Sequence, residues 1–353
     1  EEYGGCAVPG EELIYAMIAI HELARADLGM STPDYALLPI GWSYVISKYG
    51  SEQLKQFVLP RVAAGTCFAG IAATEPGGGS DLAGATRTRA VRRGDVFVLN
   101  GEKAFISGHT ECTKYGRPSG HCALAVTDPG KGAKGITFLY VEANLPGVTS
   151  STHKDMGCAG LSHGNWIYKD AEIPEWCVLG EENKGFAVSM DGFTALRVLV
   201  SAACLGGAER ALEISAEYTA QRMVFGKPLA KFEAISFEMA NDWMQLDMLK
   251  LNLLRGAWML GRESLEPGGF SRKEITSCIS TCKCLAPTLA HDVARHGMIY
   301  HGGFGYTKDT PLEMFLRGVM SYEVGAEGGL NIMRGIIARE QWGEAHNPFH
   351  DRW

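Results

Sequence analysis

Apolar residues recur at three- and four-residue intervals through residues 11–66, beginning at Leu13. This spacing places them on one face of a helix and predicts a largely helical segment. A distinct helix is predicted over 52–64, with Ser51 as its N-cap. Pro60 should break or kink that helix part-way, because proline cannot donate the helical hydrogen bond.

The pattern changes at residue 67, after which short runs of β-forming residues alternate with turn signals. Gly-Asp at 94–95 and Asn-Gly at 100–101 are dipeptides typical of tight turns between strands. Closely spaced strands with such turns predict an antiparallel barrel or sandwich. Residues 108–120 form a long polar loop, either functional or mobile. Strands are predicted over 86–93, 96–99, 103–107, 122–127, 136–141 and 165–172.

From residue 185 to about residue 342 the periodicity is helical again. Long amphipathic segments joined by short connections are typical of a helical bundle, and Glu-Pro-Gly-Gly at 266–269 separates two of them. The predicted fold class is therefore α+β, with a helical domain at 1–66, an antiparallel β domain at 67–178 and a helical bundle at 179–353. The bundle helices are predicted over 186–222, 233–264, 271–296 and 330–340.

The composition limits the classes of function. The chain has 353 residues and a net charge of −7, and no basic run suggests a nucleic-acid partner. No apolar stretch is long enough to predict a membrane span, and no signal peptide is recognisable. The ten cysteines lack the paired spacing of a metal site, even where Cys278, Cys282 and Cys284 cluster. Buried reduced thiols and a cytoplasmic location are expected.

A single carboxylate, Glu327, stands immediately before a glycine pair and just ahead of a predicted helix. Small neighbours allow such a side chain to reach a bound ligand without crowding. A carboxylate placed in this way suits a base that removes a proton from a substrate.

Two other segments have features of phosphate-binding sites. Three glycines precede Ser80 within residues 74–81, and backbone N–H groups in such a loop can converge on a pyrophosphate. A flexible turn is the alternative. Arg222 ends a predicted helix, where it could bind phosphate or simply oppose the helix dipole.

Seven segments, in order along nearly the whole chain, resemble motifs of the acyl-CoA dehydrogenase family. Residues 74–81 resemble TEPGAGSD, residues 100–107 resemble NGxKxWITN and residues 222–229 resemble RxxFGKPL. The other matches are EYGG at 2–5, YGSEQLK at 49–55, GGFGY at 302–306 with its following Pro, Glu and Arg, and the terminal EGG…R…ARE at 327–340.

The resemblance implies an N-terminal helical domain, a middle β-barrel and a C-terminal four-helix bundle. It implies non-covalent FAD between barrel and bundle, with the adenine end reaching a neighbouring subunit of a homotetramer. The implied reaction oxidises an acyl-CoA to the 2,3-enoyl-CoA, and the electrons pass to electron-transferring flavoprotein. The implied location is the cytoplasm, or the mitochondrial matrix in a eukaryote. The family pattern also implies further helix before Glu1.

By this resemblance Glu327 is the base that removes the Cα proton, and its backbone N–H helps bind the thioester oxygen. Glu323 is the alternative base, but counting back from Arg334 places Glu327 in register. Some members carry the base on another helix, at the position of Leu196, which cannot serve here. The neighbouring Arg197 matches an arginine close to the active site, with a structural ion pair as the alternative.

The resemblance also assigns cofactor and substrate contacts. Thr74 and Ser107 are expected to bond the flavin ring, and Phe105 takes the place of a tryptophan packed near it. The full expected sets are Thr74, Gly79, Ser80, Phe105, Ser107, Arg222, Phe225, Gly302 and Gly303 for FAD, and Ser80, Arg197 and Gly328 for the substrate.

Two positions and one segment depart from the family pattern. Ile299 and Glu233 stand where glutamines are common, so contacts at the adenine end should differ. Residues 158–165 replace an Arg and Ser-x-Thr stretch, which indicates an unusual acyl group. Within that stretch His163 is either a substrate contact or an exposed loop residue.

Other activities are compatible with the same motifs. An acyl-CoA oxidase passes the electrons to oxygen, but most oxidases are longer and carry an extra C-terminal domain. An enoyl-CoA reductase runs the reaction in reverse on the same fold. A catalytically silent protein that binds acyl-CoA or FAD is the fourth possibility, and the presence of Glu327 argues against it.

Overall fold

The computed structural model describes residues 2–6 and 8–348, and its chain opens with three helices. These are α1 (Glu12–Ala26), α2 (Ser31–Tyr49) and α3 (Glu52–Ala63). Ser51 is confirmed as the N-cap of α3, since its Oγ accepts a hydrogen bond from the Leu54 N–H at 3.1 Å. Of the break or kink predicted at Pro60, the break does not occur, because the helix continues through Pro60 to Ala63. A proline one turn before a helix end removes one hydrogen bond but leaves the last turn intact.

A seven-stranded sheet follows the helices. Its strands are β1 (Ala69–Ala72), β2 (Arg89–Arg93), β3 (Val96–Ser107), β4 (Gly120–Val126), β5 (Ile136–Glu142), β6 (Val148–Thr152) and β7 (His163–Pro174). They are ordered β1-β4-β2-β3-β7-β6, with β5 also paired to β4. Most pairs are antiparallel, as expected, but β1 runs parallel to β4. Short helices α4 (Leu82–Ala85) and α5 (His109–Tyr115) connect strands, so the predicted 108–120 loop is partly helical.

The Asn-Gly pair at 100–101 does not form the turn predicted from the sequence. Strand β3 passes straight through it, with a register shift against β7 between Leu99 and Gly101. Gly101 has φ 151°, and a Cβ there would lie 2.5 Å from Thr88 Oγ1. The glycine therefore allows a bulge and a close approach of another segment, which is the other common use of glycine in strands. The Gly-Asp pair at 94–95 does join β2 to β3.

Within the described residues, five α-helices follow the sheet: α6 (Gly185–Gln221), α7 (Glu233–Leu265), α8 (Arg272–Tyr300), α9 (Leu312–Val324) and α10 (Leu330–Trp342). The sequence pattern predicted all of these except α9. A hairpin of β8 (Met223–Val224) and β9 (Lys227–Pro228) follows α6. At the start of α8, Ser271 and Glu274 form a capping box, which fixes where that helix begins.

Helix α6 is the central element and is more apolar than the sequence reading allowed. Among the described residues it alone is long and apolar enough to cross a membrane by length and composition, with a mean hydropathy of 1.4. Its most apolar window is 83% buried inside the protein, against α1, α2, α7 and α8. Burial on nearly all sides accounts for its composition.

One hydrophobic core joins the three parts of the chain. Trp42 of α2 is fully buried and meets Phe138 of β5 at 5.9 Å and Phe193 of α6 at 5.6 Å between ring centroids. This cluster fixes the N-terminal helices against both the sheet and the bundle. The residues considered below lie around these junctions.

Candidate active site

Glu327 lies in the connection between α9 and α10, in an unusual backbone conformation. Ala326, Glu327 and Gly328 have φ values of 32°, 60° and 109°. Two consecutive non-glycine residues with positive φ are costly and persist only where the surroundings hold them. Gly329 is the N-cap of α10, so the helix begins directly after the turn. The connection therefore presents one carboxylate on a short, constrained loop.

Two buried cations hold this loop from neighbouring helices. Lys283 of α8 donates to the carbonyl oxygens of Tyr322 at 3.0 Å, Gly325 at 3.4 Å and Gly328. Arg197 of α6 donates from Nε to the Glu327 carbonyl at 3.0 Å. The loop carbonyls are thus paired with protonated side chains, and charge-assisted hydrogen bonds of this kind are strong. Sequence reasoning did not select Lys283.

The surroundings shift the pKa values of Glu327, Lys283 and Arg197. Burial, together with the nearby Asp34 carboxylate, raises the pKa of Glu327 to about 7 against the opposing effects of Lys283 and Arg197. Burial lowers the pKa of Lys283 to about 8 and that of Arg197 to about 10. A carboxylate with a pKa near 7 is a stronger base than an ordinary glutamate.

The alternative base, Glu323, is engaged elsewhere. Its Oε1 lies 3.3 Å from His291 Nδ1 on α8, and only 16% of its side chain is exposed. Leu196, the other family position for a base, is fully buried and apolar. The geometry therefore favours Glu327 over Glu323 as the reactive carboxylate.

Four of the expected flavin contacts come together at one end of the sheet. The Ala104 N–H donates to the Thr74 carbonyl at 2.9 Å, which places Thr74 beside Phe105. Phe105 is 59% exposed and has φ 59° at a register shift in β3. Ser107 pairs with His163 across β3 and β7. A Cβ on Gly79 would come within 3.1 Å of Thr74 Cγ2, so a side chain there would press against Thr74.

A buried ion pair that sequence reasoning missed fixes this arrangement. Glu75 accepts from Lys103 Nζ at 2.9 Å and from the N–H groups of Arg87 at 2.7 Å and Thr88 at 2.9 Å. Burial lowers the pKa of Lys103 to about 8, and the Lys103 charge holds the pKa of Glu75 below its usual value. The pair ties the glycine-rich loop to β3. Ser80, near the end of this glycine-rich loop, is exposed to solvent.

The remaining expected FAD contacts lie at the opposite end of the bundle. Arg222 is the exposed C-cap residue of α6, and Phe225, in the β8–β9 turn, is 94% exposed with φ 49°. The Tyr218 ring of α6 stacks on His301 at 4.0 Å, which brings this end of α6 to Gly302 and Gly303. A Cβ at either glycine would meet nothing within 4 Å.

Two of the departures from the family pattern, Ile299 and Glu233, fall at this same end. Ile299 is 57% exposed and lines a cavity of about 350 Å³ with Arg295, one turn before it on α8. Gly302 and Tyr306 form another part of the lining. Glu233 is the first residue of α7. Arg295 therefore lines the same cavity as Ile299, the position at which the family pattern has a glutamine.

Neither a metal cluster nor a disulfide is found in the described part of the chain. No group of three or more His, Cys, Asp or Glu side chains in residues 2–6 and 8–348 is placed to hold a metal ion. All ten cysteines are free, and most are buried. Cys278 and Cys282 both contact Asn252 of α7, so the α8 cluster belongs to helix packing.

Comparison with known proteins identifies the family. Models of the acyl-CoA dehydrogenase N-terminal, middle and C-terminal domains match residues 1–66, 70–171 and 183–341. The chain belongs to the acyl-CoA dehydrogenase family and is an oxidoreductase. The resemblance and the fold class stated from the sequence are confirmed.

Three similar proteins illustrate the range of the family. The acryloyl-CoA reductase (NADH) of Anaerotignum propionicum is 33% identical and matches 96% of this chain and 82% of its own length. The butyryl-CoA dehydrogenase structure from Megasphaera elsdenii has a TM-score of 0.85 at 28% identity, covering 95% and 84% of the two chains. A glutaryl-CoA dehydrogenase from Mycobacterium smegmatis, solved with FADH2, has a TM-score of 0.79 at 26% identity, covering 93% and 79%.

Proposed function

We propose that this protein is an FAD-dependent acyl-CoA dehydrogenase that converts an acyl-CoA thioester to the 2,3-enoyl-CoA. The observation that carries the proposal is the position of Glu327. It is held on a constrained loop by Arg197 and Lys283, with a pKa raised to about 7. The reaction needs a base at Cα with this kind of tuning.

In the proposed reaction Glu327 removes the proton from Cα of the thioester. The Glu327 N–H donates to the thioester oxygen, which stabilises the developing enolate, while Gly328 lets the substrate approach the backbone. Arg197 keeps the carbonyl side of the loop fixed during the transfer. Ser80 and Arg197 complete the proposed substrate contacts.

The cofactor is FAD, which when bound accepts the hydride that leaves Cβ. The sheet end fits a flat ring system, because Phe105 exposes an aromatic face next to the Thr74 and Ser107 segments. An aromatic ring held in this way packs well against another ring. The proposed contacts to the flavin half of FAD are Thr74, Gly79, Ser80, Phe105 and Ser107.

The proposed contacts to the adenine half are Arg222, Phe225, Gly302 and Gly303, and the proposed assembly is a homotetramer. From Lys283, beside Glu327, α8 runs on to Tyr300, a rise of about 26 Å. The adenine-half residues therefore lie far from Glu327 of their own chain. We infer that they serve the cofactor of a neighbouring subunit, across an interface on the exposed apolar face of α7.

We infer that the electrons pass to electron-transferring flavoprotein. The unpaired thiols suit a reducing compartment, the cytoplasm or, in a eukaryote, the mitochondrial matrix. The similarity to an acryloyl-CoA reductase favours one second candidate, reduction of an enoyl-CoA by the same site in the reverse direction.

An anaerobic titration tests the function. Acyl-CoA thioesters with straight, branched, cyclic and aryl-substituted chains are added to the flavin-loaded protein, and flavin absorbance is followed. A dehydrogenase bleaches with at least one thioester and regains colour slowly in air. Rapid recovery in air indicates an oxidase. Enoyl-CoA that reoxidises chemically reduced protein, with no bleaching by any acyl-CoA, indicates a reductase, and no response to either class refutes the proposal.

A further inference from the structure

Three aromatic rings meet at the sheet end where the flavin contacts are proposed. The Phe105 ring lies 5.5 Å from the His153 ring and 6.0 Å from the His163 ring, and the two imidazoles are 6.1 Å apart, all measured between ring centroids. Phe105 is 59% exposed, and both imidazoles are partly exposed. The three rings are therefore accessible to a bound molecule rather than enclosed in the core.

Strand pairing places His163 on the same face of the sheet as the proposed flavin contacts. His163 is the first residue of β7 and lies directly opposite Ser107 of β3. Residues directly opposite each other in an antiparallel pair direct their side chains to the same face. The contact between the His163 and Phe105 rings shows that Phe105 reaches that face as well. His163 is therefore a strand residue with a side chain only 28% exposed, and not an exposed loop histidine.

Hydrogen bonds determine which nitrogen of each imidazole can gain a proton. His163 Nδ1 lies 3.1 Å from Asp155 Oδ2. Because a carboxylate accepts, Nδ1 carries the proton of the neutral ring, and Nε2, which has no partner among the described residues, is the basic nitrogen. His153 Nε2 lies 2.8 Å from the amide oxygen of Asn165, whose nitrogen donates to Glu102. Of the two imidazoles, His163 is thus the one in direct contact with a carboxylate that can stabilise its charged form.

We propose that His163 raises the reduction potential of the bound flavin by taking up a proton at Nε2 when the flavin is reduced. This inference rests on the proposed function for the position of the cofactor. Transfer of a hydride to a neutral ring system adds one negative charge. His163 then takes one proton from solvent at Nε2, and the imidazolium, paired through Nδ1 with Asp155, offsets that charge. Oxidation of an acyl-CoA becomes more favourable as a result, and reduction of an enoyl-CoA less favourable.

The proposed proton uptake makes the potential depend on pH. The further titratable groups around His163 are two imidazoles and two carboxylates, namely His153, His109 of α5, Glu111 of α5 and Asp34 of α2. Among the described residues, Asp155 is the carboxylate within hydrogen-bond distance of the ring. Histidine is the side chain whose charge changes in the physiological pH range. The effect of His163 on the potential should therefore be full in acid and be lost as the pH rises and Nε2 no longer takes up a proton.

The test measures the reduction potential of the flavin-loaded protein at about pH 6 and about pH 8.5, by equilibration with a chemical reductant and a reference dye. At the lower pH, His163→Gln should lower the potential by about 30 mV or more, a tenfold change in the two-electron equilibrium, and by less at the higher pH. His163→Arg, whose charge does not depend on pH in this range, should keep the high potential at both. His153→Gln, in contact with the same Phe105 ring, should shift the potential less than His163→Gln. His346→Gln, exposed after α10, should leave it unchanged.

The role of His163 and the proposed function fail in different experiments. An unchanged potential in the His163→Gln protein, a lowered potential that His163→Arg does not restore, or an equal shift in the His153→Gln protein would overturn the role of His163. Loss of flavin from both His163 variants would show that the ring serves packing alone and would overturn it too. No thioester is used, so a flavin that no acyl-CoA bleaches would refute the proposed reaction without altering these potentials.

Discussion

At the residue scale the proposed chemistry depends on one glutamate whose environment disfavours its charge. Burial and Asp34 raise the pKa of Glu327, and Lys283 and Arg197 limit the rise. The same environment costs stability. Because the folded pKa of about 7 lies above the unfolded value near 4.5, folding stability is lost as pH rises from about 4.5 through about 7.

The rate of flavin bleaching by a good thioester should therefore rise with pH and level off above about 7, because only ionised Glu327 accepts the proton. Stopped-flow absorbance between pH 5.5 and 9 measures it. Glu327→Gln should gain up to about 3 kcal/mol of stability relative to the original protein between pH 4.5 and 8. A bleaching rate that stays flat across this range would rule out Glu327 as the titrating base.

The sequence predicted Glu327 as the base because its motif is local, but it could not predict which groups shift the pKa of that carboxylate. Lys283 and Asp34 lie 44 and about 290 positions away along the chain, on α8 and α2. Nothing in their own sequence neighbourhoods marks them, since each sits within an ordinary helical pattern. Only the packing of α2, α8 and α9 brings their charges to the loop.

At the element scale the α9–α10 connection is the part that needs most support. Its left-handed residues are held by hydrogen bonds from α6 and α8 rather than by their own propensity. The contrast between local propensity and contacts from other elements also explains where the predictions from the sequence failed. Asn-Gly at 100–101 has a turn preference, but pairing of β3 with β7 outweighs it, and Pro60 is tolerated because α3 ends one turn later.

Replacing Lys283 by methionine should cost about 2–4 kcal/mol, because it leaves loop carbonyls unpaired in the interior. It should also slow bleaching more than it weakens thioester binding, since the loop loses its fixed position. Lys273→Met, exposed on the same helix, is the matched control. Chemical denaturation and stopped-flow absorbance give the two quantities, and a Lys283→Met protein with unchanged bleaching would show that Lys283 only stabilises the fold.

At the scale of the whole molecule, the proposed flavin contacts lie at one end of the sheet, whereas the proposed adenine contacts lie near the C-terminal end of α8. One face of α7 is apolar and exposed at helical spacing, through Phe237, Trp243, Met244, Met248, Leu251 and Trp258. Exposed apolar surface of this extent marks an interface. Subunit assembly and FAD binding should therefore be coupled. In the sequence, the only indication of this coupling is the motif at Arg222, which resembles a family contact to FAD across a subunit interface.

Placing charges on this face, as Met248→Asp with Leu251→Asp, should split the assembly and release FAD together. Light scattering coupled to gel filtration measures the mass, and the ratio of flavin to protein absorbance measures occupancy. Gln56→Asp, on the exposed surface of α3, controls for added charge. Arg222→Ala should lower occupancy with less effect on mass. Full flavin in a dissociated protein would contradict the shared cofactor site.

The most direct measurement compares Glu327→Gln with Glu323→Gln, both loaded with FAD and mixed anaerobically with a thioester that bleaches the original protein. The Glu327→Gln protein should bind the thioester with little change in affinity and fail to bleach, with a rate reduced at least about 100-fold. The Glu323→Gln protein should bleach at close to the original rate. Normal bleaching by the Glu327→Gln protein would contradict the assignment of Glu327 as the base.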